Sequence, residues 1–157
     1  MLFRSAMHLD TCVSYMSTLN KLGEDLAAHM HVSAMTDVTG FGFAGHLLEM
    51  CEGSRLTARI DAEALPVYPF LSSYVAQHIY PDMTMKNYAH YAAKMDQLTL
   101  PQLLVMCDPQ TSGGLLIAVP EHASAALEQR LHDFGLGAFA HAVGVMEDPG
   151  EKCVVLK

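Results

Sequence analysis

Positive charge is scarce in this sequence of 157 residues. Nine lysine and arginine residues stand against 17 aspartate and glutamate residues, which gives a formal net charge of −8 at pH 7. A surface that binds nucleic acid needs clustered Lys and Arg to contact phosphates, so we expect no nucleic-acid partner. An acidic domain that handles phosphates usually recruits a divalent cation for that purpose.

Long hydrophobic runs and paired cysteines are also missing. No apolar stretch is long enough to span a bilayer, and the first ten residues lack the apolar centre and cleavage site of a signal peptide. The four cysteines are far apart and form no C-x-x-C pair: Cys12, Cys51, Cys107 and Cys153. Scattered cysteines are typical of reduced thiols, so we predict a cytoplasmic protein with no membrane partner.

Hydrophobic residues make up 51% of the chain, enough for the core of one domain. Their periodicity predicts helices over 11–30, 41–52, 70–80 and 121–134. It predicts strands over 31–38, 55–61, 115–120, 138–146 and 153–156, with the last two forming a hairpin. Residues 81–101 fit a loop, a helix, or one followed by the other. This order predicts an α+β fold, a mixed α/β arrangement with one mixed sheet packed with helices.

One stretch, MTDVTGFGFAGHLLEM (35–50), combines an acidic residue, three glycines and a histidine. Its glycines spell the dinucleotide fingerprint G-x-G-x-x-G: Gly40, Gly42 and Gly45. A strand precedes them and a helix follows, as that fingerprint requires. However, a long helix precedes the unit, no second nucleotide-binding half follows, and Asp37 would repel a bare phosphate. The dinucleotide interpretation is therefore the weaker one.

Asp37 indicates a different chemistry. A carboxylate at the end of a strand is well placed to hold Mg²⁺, which prefers one or two carboxylates together with substrate phosphates. Thr39 adds a hydroxyl group, and Gly40 and Gly42 permit sharp turns and close approach of a ligand. The alternative is structural: Asp37 or Thr39 caps the helix, and the glycines relieve packing against the sheet. This stretch alone leaves both interpretations open.

Two further stretches favour the functional interpretation. CDPQTSGGLLIAVP (107–120) is a turn with paired glycines that leads into a strand, and PDMTMKN (81–87) has the pattern Pro-x-x-Thr-x-x-Asn. With TDVTGFGFAGHLLEM first, PDMTMKN second and DPQTSGGLLIAV last along the chain, the three stretches resemble the C-terminal domain of the selenophosphate synthetases (selenide, water dikinases). These enzymes belong to the superfamily related to aminoimidazole ribonucleotide synthetase. The resemblance covers residues 11–157 as a single domain, and residues 1–10 match it poorly.

The resemblance implies an activity and a set of partners. Enzymes of this family make selenophosphate, AMP and phosphate from ATP, selenide and water, and their cofactors are Mg²⁺ and ATP. They have two α/β domains, dimerise largely through the N-terminal one, and bind the nucleotide and its metals between the domains. The resemblance implies that Asp37 is a magnesium ligand alongside aspartates of the N-terminal domain. From their own chemistry, we predict that Thr39, Gly40 and Gly42 bind the nucleotide. The family signature Asp108–Gly114 receives no catalytic role.

The reactive cysteine or selenocysteine of the family and the lysine that follows it have no match here. Both belong to the N-terminal domain, so we expect no catalytic residue in this chain and no activity from this chain alone. His46 is predicted to be a hydrogen-bonded structural histidine. Two alternative functions stay open: an ATP-dependent synthase of the same superfamily with another substrate, and a stand-alone binding module.

Overall fold

Seven α-helices and five short strands are found in residues 5–157, the part of the chain that this computed structural model describes. Residues 1–4, which belong to the poorly matched start, lie outside the described residues. The helices are α1 (Ala6–Met16), α2 (Leu22–His29), α3 (Gly42–Ser54), α4 (Leu71–Val75), α5 (Asp82–Tyr91), α6 (Leu100–Met106) and α7 (Ser124–Asp133). The strands are β1 (Ala34–Asp37), β2 (Thr57–Ile60), β3 (Leu115–Ala118), β4 (Gly144–Glu147) and β5 (Val154–Leu156). The predicted α+β class is confirmed.

The strands form two sheets, and the prediction of one mixed sheet is wrong in that respect. β1 pairs with β3 in an antiparallel sheet, in which Asp37 lies opposite Leu115. The second sheet has the order β4-β2-β5, with β2 antiparallel to β4 and parallel to β5. Helix α3 contacts strands of both sheets. It can do so because it has a broad buried face that includes Ala44, Leu47 and Cys51.

The predicted hairpin between β4 and β5 is also wrong, since β2 lies between them. Thr57 of β2 explains the crossing. Its hydroxyl donates to the carbonyl of Lys152 at 2.8 Å and accepts from the backbone N–H of Gly150 at 2.8 Å. The connection therefore passes over the end of β2, the strand in which Ala58 and Ile60 are buried.

The helix predicted over 11–30 is two helices, α1 and α2, separated by residues 17–21. The hydroxyls of Ser17 and Thr18 donate to backbone carbonyls of the preceding turn, including Ser14. Such bonds compete with the helical ladder and favour a break. α1 also begins at Ala6, upstream of the start predicted at residue 11.

The ambiguous stretch 81–101 contains α5 and the start of α6. A capping box of Thr99 and Gln102 begins α6, with Pro101 in its first turn. Near the C-terminus, α7 ends at Asp133, one residue before the predicted end, and Phe134 is 45% exposed. None of the helices within residues 5–157 is long and apolar enough to cross a membrane.

Candidate functional site

The segment after β1 is bonded through its backbone to the DPQTSGG segment before β3. The N–H of Val38 donates to the carbonyl of Gly114 at 2.9 Å, and the N–H of Gly113 donates to the carbonyl of Val38 at 2.9 Å. At Thr39, the residue after Val38, the carbonyl accepts a hydrogen bond from the N–H of Gln110 at 3.0 Å. Two stretches about 70 residues apart in sequence thus form one continuous turn region at the end of the antiparallel sheet.

Glycine is required at one point of this contact. Gly42 has φ +70°, and a Cβ there would lie 2.9 Å from the backbone carbonyl oxygen of Asp108 and 2.9 Å from the carbonyl carbon of Cys107. Only glycine allows both the left-handed conformation and this approach. Gly40 differs, because a Cβ there would meet nothing within 4 Å. Gly42 therefore serves close packing of backbones, whereas Gly40 faces open space.

Side chains of a third stretch, PDMTMKN, form hydrogen bonds to both the TDVTGFG and the DPQTSGG segments. Asn87 on α5 is 5% exposed, and its Nδ2 donates to the carbonyl of Gly40 at 3.0 Å and to that of Cys107 at 3.1 Å. The hydroxyl of Thr84, one turn earlier and fully buried, donates to Oδ1 of Asp108 at 3.4 Å. Sequence reasoning did not assign these roles, although the spacing of three residues places both side chains on one face of a helix.

Asp108 is the titratable group at the centre of this contact. Its Oδ2 accepts a hydrogen bond from Nε2 of Gln110 at 2.6 Å, and its Oδ1 accepts the one from Thr84. Burial raises the pKa of the Asp108 carboxyl to about 6, although both hydrogen bonds act in the opposite direction. The Asp108–Gly114 turn, which had no assigned role, thus stabilises the glycine-rich turn through hydrogen bonds and close packing.

Asp37 lies at the exit of β1 and is exposed. Within residues 5–157, no Lys, Arg or His side chain forms an ion pair with its carboxylate. Helix α3 has Phe41 at its N-cap without any side-chain capping bond, so neither Asp37 nor Thr39 caps it, contrary to the structural alternative. The Asp37 carboxylate is an oxygen ligand of the kind that Mg²⁺ prefers. It lies at the start of a turn that backbone hydrogen bonds to residues 110–114 hold in place.

Asp37 does not have a complete set of metal ligands around it in this chain. In the described part of the sequence, no three His, Cys, Asp or Glu side chains lie close enough together to hold a metal ion. A Mg²⁺ ion at Asp37 would therefore take further ligands from substrate phosphates, from water or from another polypeptide segment.

His46 connects the turn to the body of α3. The ring is 7% exposed, with Nε2 3.0 Å from Oγ1 of Thr39 and Nδ1 3.1 Å from Oε2 of Glu49. The histidine is therefore buried and hydrogen-bonded on both nitrogens, as the sequence predicted. Next to it, Phe41 is 54% exposed at the tip of the turn.

Comparison with known proteins gives consistent matches. The family described as AIR synthase related protein, C-terminal domain, matches residues 15–157. The selenide, water dikinase of Shewanella sp. (strain MR-4) is 43% identical over 137 residues, which is 87% of this chain and 38% of that protein. That of Aeromonas hydrophila subsp. hydrophila is 47% identical over 120 residues, which is 76% of this chain and 35% of that protein. The chain thus spans little more than a third of the length of these relatives.

Proposed function

Because this chain belongs to the family of AIR synthase related C-terminal domains, we propose that it is the C-terminal domain of a selenide, water dikinase. The complete enzyme would make selenophosphate, AMP and phosphate from ATP, selenide and water. Identities of 43% and 47% to proteins of that name support the proposal. Since the matched segment is 38% or less of each relative, the proposal includes an N-terminal domain that supplies the reactive cysteine or selenocysteine and its lysine.

The observation that carries the proposal is the exposed carboxylate of Asp37, which has no ion-pair partner in the described chain. It lies at the start of a turn that two other sequence motifs hold in place through hydrogen bonds. Phosphoryl transfer depends on positioning and on cations that neutralise the phosphate charge. Mg²⁺ bound by Asp37 would supply that neutralisation for ATP. Asp37 itself would fix where the ion lies, with the remaining protein ligands coming from the N-terminal domain.

The turn after Asp37 would receive the nucleotide. Gly40 borders open space, so a phosphate group could approach its backbone closely. Gly42 would act on the nucleotide site indirectly, because its contact with the backbone at Cys107 and Asp108 sets the course of the turn. The exposed ring of Phe41 would pack against the N-terminal domain, and ATP, selenide and the metals would then lie between the two domains.

In this proposal the complete protein is a cytoplasmic homodimer, and this chain alone is inactive. The test follows selenophosphate and AMP by phosphorus NMR after addition of ATP, Mg²⁺ and selenide. We expect both products from the protein with its N-terminal domain and neither from the 157-residue chain. Selenide-dependent AMP formation by the chain alone would contradict the assignment of catalysis to the N-terminal domain. Turnover of ATP to ADP without selenophosphate would indicate a related synthase with another substrate.

A further inference from the structure

Three side chains beside the proposed metal ligand form a continuous hydrogen-bonded row: Thr39, His46 and Glu49. His46 lies in the middle, 7% exposed, with 3.0 Å from its Nε2 to Oγ1 of Thr39 and 3.1 Å from its Nδ1 to Oε2 of Glu49. Glu49 follows His46 by three residues on α3, so the two lie on one face of the helix. Both ring nitrogens are occupied, and the ring cannot turn without losing a bond.

The chemistry of the two partners determines where the protons lie. An ionised carboxylate only accepts hydrogen bonds, so Nδ1 of His46 carries the proton that faces Glu49. In a neutral imidazole, Nε2 is then an acceptor, and the hydroxyl of Thr39 must donate to it. We propose that His46, oriented by Glu49, holds the Thr39 hydroxyl so that its oxygen lone pairs, and not its proton, face a ligand bound beside Asp37.

This arrangement selects a class of ligand for Thr39. A hydroxyl whose proton is already donated to His46 cannot donate to a phosphate oxygen. It can accept from water in the shell of a divalent cation or bind the cation directly. We therefore assign Thr39 to the binding of the metal ion rather than of the phosphate. His46 and Glu49 are positioning residues that act through Thr39. This inference rests on the proposed function, since Asp37 must hold Mg²⁺ for Thr39 to assist.

The proton assignment can be tested on the 157-residue chain without any activity. Nitrogen NMR of labelled histidine distinguishes a protonated from an unprotonated ring nitrogen. We expect His46 to carry its proton on Nδ1 in the wild-type chain. Glu49→Ala removes the acceptor that holds this proton, so the proton should redistribute to Nε2, whereas Glu49→Gln keeps a carbonyl acceptor and the wild-type pattern. Glu52→Ala is the matched control, because Glu52 is an exposed glutamate of the same helix that pairs with Lys94.

The effect on the metal is measured in the complete protein. Removing an outer partner of a metal ligand typically weakens metal binding by 10–100-fold. Because Glu49 acts on Thr39 through His46, we expect Glu49→Ala to raise the half-saturating Mg²⁺ concentration by about tenfold, the lower end of that range. Glu49→Gln and Glu52→Ala should keep the wild-type requirement for Mg²⁺, which separates positioning of the ring from general effects of charge on α3.

Each outcome decides one point. A wild-type proton on Nε2 would overturn the proposed direction of the Thr39 hydroxyl. If the proton moves in Glu49→Ala but the Mg²⁺ requirement stays constant, the position of the His46 proton does not affect metal binding. That result would overturn the proposal that Thr39 assists in binding the metal. If Asp37→Asn leaves the Mg²⁺ requirement unchanged, the proposed function fails in its metal assignment, while the proton position on His46 still reports the direction of the Thr39 hydroxyl.

Discussion

Replacement of Asn87 by alanine tests whether PDMTMKN fastens the other two motifs together. Asn87 donates both of its amide protons, one to the carbonyl of Gly40 and one to the carbonyl of Cys107. Cys107 is fully buried, so its carbonyl loses a donor that water cannot replace, at a cost of about 1–3 kcal/mol. Gly40 is exposed and its carbonyl can bond to water, so that loss contributes little.

Truncation of the buried side chain adds about 1 kcal/mol for lost packing, so Asn87→Ala should lower the free energy of unfolding by about 2–4 kcal/mol. Urea unfolding followed by circular dichroism measures this, with an unchanged dependence on urea. Lys86→Ala, exposed on the same helix, is the control and should stay within about 0.5 kcal/mol of wild type. A loss for Asn87→Ala no larger than that of the control would refute the fastening role.

Two further predictions concern the same contact. Burial raises the pKa of Asp108 to about 6, so between pH 4 and pH 6 the folded chain holds a proton that the unfolded chain has released, and stability falls as the pH rises. Asp108→Asn should remove this fall, worth up to about 3 kcal/mol, in urea midpoints compared at the two ends of that range; parallel profiles would contradict it. Gly42→Ala should lower the free energy of unfolding by at least about 2 kcal/mol, because of the positive φ of Gly42 and the nearby Asp108 carbonyl. Gly40→Ala, the control, should be nearly neutral. Equal urea midpoints for the two variants would contradict the requirement for glycine at position 42.

The sequence predicts the α+β class, the strand before the TDVTGFG motif and the helix after it, because these depend on local patterns. Periods of two and 3.6 residues, together with terminal glycines, are visible within a dozen residues. The buried, hydrogen-bonded state of His46 was predictable in the same way, because the residue lies in the first turns of a largely apolar helix.

The arrangement of the strands depends on distant contacts and was not predictable in this way. β4 and β5 resemble a hairpin locally, but β2 pairs with both of them, and Thr57 of β2 bonds to residues 150 and 152 of their connection. The apolar residues of 11–30 recur at helical spacing without a gap, so the break between α1 and α2 is not visible in that pattern. The hydroxyl groups of Ser17 and Thr18, which bond to backbone carbonyls, favour the break. Likewise, the bonds of Asn87 link positions 47 and 20 residues away, which no local pattern records.

The metal assignment of Asp37 is the central claim, and one substitution in the complete protein tests it most directly. Asp37→Asn keeps the size of the side chain and removes its charge, and Asp61→Asn makes the same change at the residue that follows β2. The measurement is selenophosphate formation as a function of Mg²⁺ concentration, with the melting temperature recorded for each variant. We predict that Asp37→Asn loses turnover or needs far more Mg²⁺ at an unchanged melting temperature, while Asp61→Asn behaves as wild type. Wild-type turnover of Asp37→Asn with an unchanged Mg²⁺ requirement would contradict the account.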